Sequence, residues 1–258
     1  ASKFVKVVLS GAGGDELFAG YPWRYYKAVN NDSFDVYIDK YYSFWQRLIP
    51  NKNVNSIFAP ILNNNQKVWT RDIFANVFKN PMKNLTSEEY INHSLYFEAK
   101  TFLHGLLVVE DKLSMAHSLE TRVPFLDNDL VDFAQKIPVK LKLTNFDKVI
   151  KMNENDIGKI KKTNDGKVIF RKAMTKYMPK DIRKAVKQGF SSPDNSWFKG
   201  DSIKFVETML LNENAKIYKY MDRLSTQKLI NEHLSGKKNR RLFIWSLLNF
   251  EEWNNIYG

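Results

Sequence analysis

Three clusters of residues in this chain have types and spacings that chemistry requires. The first is Ser10-Gly11-Ala12-Gly13-Gly14-Asp15-Glu16-Leu17-Phe18-Ala19-Gly20-Tyr21. Its glycines allow a sharp backbone turn and bring N–H groups close to an anionic ligand. A helix starting near Asp15 would add a partial positive charge suited to phosphate. The Asp15 carboxylate could hold a magnesium ion that bridges phosphate oxygens. The run is neither a Walker loop nor a GxGxxG fingerprint, so a phosphate-handling loop and a tight strand-to-helix turn both stand as readings.

The second cluster runs from Glu110 to Asp127 and gathers Asp111, Lys112, Ser114, Glu120 and Arg122 ahead of Pro124. Acids, bases and a hydroxyl before a proline bend fit a functional loop. They fit a helix terminus with ordinary ion pairs equally. The third, Lys187-Gln188-Gly189-Phe190, sets a lysine before a glycine turn and is weak by itself.

The elements that must carry these clusters are mostly helical. Phe4 to Leu9 is β-branched and apolar and reads as a strand leading into the first cluster. One strand needs a partner, and the sequence offers no second strong candidate. Phe34, Ile38, Tyr41, Tyr42, Trp45 and Leu48 recur at helical spacing and read as core. Thr86 with Glu89 reads as a capping box opening a long helix, with Ile91, Leu95, Phe102 and Leu106 on one face. Val123-Pro124 forces a bend. Residues 143–166 are polar and read as a surface excursion, followed by an amphipathic helix over about 167–178 closed by Pro179. The chain beyond the Gly189 loop reads as helical, ending in a helix that carries Phe243, Trp245, Leu248 and Trp253.

Composition narrows the classes. Of 258 residues, 43% are apolar and 14% aromatic, which excludes a disordered or collagen-like polymer. There is no cysteine, so disulfide frameworks, cysteine-ligated zinc and cysteine nucleophiles are excluded, and a reducing cytosol is permitted. The four histidines are scattered. The longest aliphatic run, Leu106 to Val109, is far short of the roughly 20 residues of a membrane span. Net charge is +12, and residues 159–187 hold eleven Lys or Arg against two Asp. That stretch reads as a solvated face, a phosphate-handling wall or a nucleic-acid patch. No zinc-finger, RRM or basic-zipper pattern supports the last.

In this order the three clusters are specific together. Ser-Gly-x-Gly-x-Asp-Glu-x-Phe-x-Gly-Tyr, Asp-Lys-x-Ser-Met-Ala-x-Ser-Leu-Glu-x-Arg-x-Pro-Phe-Leu-Asp and Lys-x-Gly-Phe resemble marked segments of the synthetase domain of glutamine-dependent asparagine synthetases. Their relatives include the β-lactam synthetases. The resemblance covers nearly the whole chain and is least marked over residues 22–95. It implies an α/β, adenine-nucleotide α-hydrolase-like domain, of which residues 1–258 are a C-terminal portion, predominantly helical with one or two strands. It implies a cytoplasmic ATP-dependent ligase of asparagine biosynthesis. An aspartate β-carboxylate attacks the α-phosphorus of ATP, pyrophosphate leaves, and glutamine-derived ammonia displaces AMP.

By the same resemblance Ser10, Gly11 and Gly13 contact nucleotide or pyrophosphate, Asp15 binds magnesium and pyrophosphate, and Lys187 stabilises the adenylating transition state. Asp111, Glu120 and Arg122 are expected to position rather than to make bonds. Two departures matter. Many members carry Glu where this chain has Ala12, which cannot act as base or electrostatic partner; either the acceptor is a related acid rather than plain aspartate, or a neighbouring acid such as Asp111 replaces the Glu. The Ser-Gly-Gly-x-Asp-Ser pyrophosphate loop and the glutaminase half do not occur in this sequence. The expectation is a fragment inactive alone, completed by an upstream synthetase and glutaminase part in cis or in trans, with a homodimer left open. The alternative is a non-enzymatic helical module that binds a protein partner or an anionic polymer through residues 159–187.

Overall fold

The strand expected over Phe4–Leu9 forms over Val7–Leu9 as β1 in the computed structural model of the chain. Its partner is β2, Glu120–Arg122, inside the second cluster. The two run parallel, with Val7 opposite Glu120, Val8 opposite Thr121 and Leu9 opposite Arg122. Sequence patterning missed β2 because Glu-Thr-Arg has no apolar alternation. The described residues are 1–46, 48–62, 69–78, 83–151, 165–185, 200 and 202–258. They are predominantly helical around this one two-stranded sheet, as expected of a portion of an α/β domain.

The chain divides into two compact units, Ala1–Ser43 with Ile73–Gln188, and Phe44–Asp72 with Gly189–Gly258. The expected aromatic helix spans Phe34–Trp45 and, within the first unit, buries Tyr37, Ile38 and Tyr41. Tyr37 stacks on Tyr41, and the rings of Phe74, Phe78, Tyr90 and Phe97 close around them. The helix Ser87–Phe97 opens on the expected box: Thr86 Oγ1 accepts from Glu89 N–H, and Thr86 N–H donates to the Glu89 carboxylate. It buries Ile91 and Leu95.

Beyond Phe97 the helix widens into a π-helical segment, Glu98–Leu103, before resuming over His104–Met115. This changes the expected face. No residue of His104–Met115 is buried, and Leu106 is exposed. The wide segment turns the later apolar residues away from the direction of Ile91 and Leu95. A second correction concerns residues 143–166. Leu143, Phe146 and Val149 are buried in one core cluster with Ala19, Tyr25, Tyr26 and Ile91, so this end of the segment is core rather than surface. The next helix, expected over 167–178, is Val168–Ala173 with a 3₁₀ turn over Met174–Lys176.

The second unit packs Ile57 with Val206, Leu210, Ile217, Ile230, Phe243 and Leu248. Its last helix, Arg241–Tyr257, buries Phe243 and Leu248 but leaves Trp245 and Trp253 about half exposed. Among the described residues no helix is long and apolar enough to cross a membrane.

Candidate functional site

The first and second clusters meet through the strand pair. Ser10 N–H donates to the Arg122 carbonyl at 2.8 Å, carrying the ladder one residue beyond β1. The chain then turns: Ala12 N–H donates to Ser10 Oγ at 3.2 Å. A four-residue helix, Gly14–Leu17, follows, too short for much of a macrodipole. Gly13 caps it with φ 91°, a left-handed conformation, and a Cβ there would lie 2.5 Å from Leu126 Cδ2. Gly13 therefore has a reason in the turn itself. Gly11 differs. A Cβ at Gly11 would meet nothing within 4 Å, and its backbone is exposed. Among the described residues the N–H groups of Gly11 and Gly13 donate to no acceptor.

Asp15 leaves this turn toward Gly20, whose N–H donates to the Asp15 carbonyl at 2.7 Å. A side chain on Gly20 would overlap Asp15 Oδ1. Lys167 Nζ lies 2.8 Å from that oxygen, with the two side chains only 23% and 18% exposed. Shielding makes this pair stronger than a surface contact. Lys167 is absent from the sequence-based assignments. The one signal for it was a Gly-Lys step opening an amphipathic helix. Glu16, next to Asp15, is buried, and burial raises its carboxyl above the ordinary range.

Behind Tyr21 lies a second polar group. Arg24 stacks on the Tyr21 ring at 3.7 Å and on Phe102 at 4.6 Å, and its Nη1 is 3.3 Å from Glu98 Oε1. Glu98 is fully buried and accepts from the Tyr25 and Tyr41 hydroxyls, each at 3.0 Å. Burial pushes its carboxyl up to about 7, against the opposing pull of Arg24 and the two tyrosines. The sequence did carry a signal here. Glu98 sits between Leu95 and Phe102 on an apolar helical face, where an acid is costly unless paired.

Glu120 and Arg122 bond each other across one face of β2, Arg122 Nε to Glu120 Oε1 at 2.8 Å, and both are exposed. Asp111 is exposed on the helix His104–Met115. Lys187 lies outside the described residues, as does 159–164 of the basic stretch. Within that stretch Arg171 donates to the Arg183 carbonyl and Arg183 to Thr175 Oγ1, which gives two of its cations internal work. Among the described residues no group of three or more His, Asp or Glu is gathered to hold a metal. Asp15 offers a single carboxylate there, with Oδ1 held by Lys167 at 2.8 Å.

The asparagine synthase family model matches residues 1–255, from β1 through the last helix. The chain belongs to the asparagine synthase family. Asparagine synthetase [glutamine-hydrolyzing] 1 of Bacillus subtilis is 27% identical over 281 residues, covering 99% of this chain and 41% of its own length. Asparagine synthetase [glutamine-hydrolyzing] 3 of the same organism is 24% identical, covering 90% of this chain and 34% of its own. Amidase chyE of Penicillium rubens is 22% identical, covering 88% and 38%. The chain thus spans about two fifths of the length of the curated relatives it matches. The strand pair ties the Ser10–Tyr21 turn to the Glu110–Asp127 segment.

Proposed function

We propose that this chain supplies part of the nucleotide and pyrophosphate site of an ATP-dependent amidotransferase of the asparagine synthetase type. The observation that carries the reading is the glycine turn itself. It holds two backbone N–H groups without acceptors among the described residues, beside an ion pair that sets Lys167 against Asp15. N–H groups and a lysine suit the oxygens of a departing pyrophosphate, and a carboxylate suits its magnesium. The ion would screen the phosphate charge. Ser10 would hold the turn through its Oγ, and Gly11 and Gly13 would donate to phosphoryl oxygens. Lys187 would meet charge that develops as the carboxylate oxygen bonds to the α-phosphorus and the bond to pyrophosphate breaks. Ammonia would then bond to the acyl carbon, AMP leaving with the former carboxylate oxygen. Asp111, Glu120 and Arg122 would position.

Ala12 cannot act as a base or charge partner; the acceptor would be aspartate, with a neighbouring acid such as Asp111 standing in, or a related acid. The rest of the site would come from a part carrying Ser-Gly-Gly-x-Asp-Ser. The exposed Val7 and Leu9 of β1 and the exposed apolar residues of His104–Met115 favour such a partner, since parallel sheets are ordinarily covered on both faces. The test is pyrophosphate release from ATP with aspartate and ammonia, with and without that part. Release only on mixing supports the reading. Release by the 258-residue chain alone, or none on mixing, overturns it. In the complete enzyme, Lys187→Ala is expected to lower turnover by about 100- to 1000-fold with substrate binding little changed.

A further inference from the structure

Lys167 is two residues from a buried acid that touches neither Asp15 nor the glycine turn. Asp165 is buried, and both of its carboxylate oxygens are engaged. Asn145 Nδ2 donates to Oδ1 at 2.8 Å, the Tyr26 hydroxyl to Oδ2 at 3.3 Å, and the Thr144 hydroxyl is shared between Oδ1 and the Asp165 carbonyl, each at 3.3 Å. The Asp165 carbonyl also accepts from Thr144 N–H at 3.0 Å. Tyr26 is buried in its turn, and burial and the Asp165 carboxylate both push its hydroxyl pKa up. Three donors on one short side chain fix it more tightly than packing alone.

From this anchor the chain has almost no freedom. Gly166 lies so close to Ala19 that any Cβ would overlap the Ala19 carbonyl oxygen. Lys167 N–H donates to the Phe18 carbonyl at 2.9 Å. Lys167 itself takes φ 56°, a left-handed conformation that a lysine adopts only where its surroundings dictate it. Asp165-Gly166-Lys167 is thus a strap drawn across Phe18-Ala19-Gly20, the end of the first cluster. The strained residue at its end is the one that meets Asp15.

We propose that Asp165 is a positioning residue: its hydrogen-bonded cage holds the strap that places the Lys167 ammonium at Asp15. The functional weight of that placement rests on the phosphate-handling reading above. The placement itself does not. Asp165 acts through the strap, its carboxylate being held by Tyr26, Thr144 and Asn145.

The experiment uses the whole protein with its lysines ¹³C-methylated, the Lys167 signal assigned through Lys167→Arg. In the otherwise unmutated protein, Asp15→Asn is expected to move the Lys167 signal. In the Asp165→Ala background the signal is expected to sit with those of exposed lysines, and Asp15→Asn to have no further effect. Pyrophosphate release read alongside is expected to lose about 100-fold in kcat, the size of a misplacement near 1 Å, with KM for ATP little changed. The double variant Asp165→Ala/Lys167→Ala is expected to be no slower than Lys167→Ala. A Lys167 signal unmoved by Asp165→Ala, or fully additive losses in the double variant, overturns the proposal. No pyrophosphate release from the unmutated complete protein overturns the functional reading instead, and the signal alone then decides the placement. If Asp165→Ala does not fold, Asn145→Ala removes the shortest of the three bonds and carries the same signal test.

Discussion

Replacing Glu98 by Gln is expected to make the protein more stable at pH 8 and to change it little at pH 4. Glu98 is fully buried, and its carboxyl is pushed from an ordinary 4.5 up to about 7. The folded protein therefore holds the proton more tightly than the unfolded chain between those limits. Stability linked to this group is complete below about 4.5 and is lost as pH rises through about 7. The gap corresponds to about 3 kcal/mol. Gln keeps the shape of the protonated acid and does not titrate, so the variant escapes that loss. Arg24, Tyr25 and Tyr41 are the groups that oppose it, and Tyr37 packs nearby without reversing it. Urea unfolding followed by tryptophan fluorescence at pH 4, 6 and 8 measures the effect. A Glu98→Gln protein that is less stable than the original at pH 8 would refute the reasoning. It would mean that the attraction of Arg24 outweighs burial, and that removing one partner of a buried pair dominates.

Two glycines of the turn are expected to separate by assay. Gly11→Ala should change stability by no more than about 0.5 kcal/mol while impairing pyrophosphate release, whereas Gly13→Ala should lower the unfolding midpoint, because φ 91° and Leu126 both oppose a side chain. Gly20→Ala should destabilise by about 1–3 kcal/mol and displace Asp15, visible as a moved Lys167 signal. Thr86→Ala should cost about 1 kcal/mol in denaturant unfolding and leave pyrophosphate release unchanged, since the capping box touches only its own helix.

Local patterns in the sequence were legible where local chemistry decides structure. The Thr86 box, the Phe34–Trp45 helix and β1 all formed, since a cap or a periodic face needs few distant partners. The expectations that differed depend on tertiary partners. Leu143, Phe146 and Val149 sit in a polar stretch, and only the approach of Tyr25, Tyr26 and Ile91 makes them core. β2 is a strand because β1 offers it a ladder, not because Glu-Thr-Arg favours one. In the candidate site, Ser10, Gly11, Gly13 and Asp15 were readable as a tight turn. Lys167 and Asp165 were not, because the ion pair that joins Lys167 to Asp15 and the bond that ties Asp165 to Tyr26 each cross about 140–150 positions of sequence.

The pairing of Val7 with Glu120 has a consequence for how the molecule comes into being. A ladder between segments more than a hundred positions apart must close a long loop before it returns any stabilisation. Helices such as Ser87–Phe97 form from neighbouring residues and need no such closure. Ser10 is held by the carbonyl of Arg122, so the glycine turn takes its shape only after those distant segments have met. A polypeptide emerging from the ribosome carries the glycine turn without its Arg122 anchor until β2 has been synthesised.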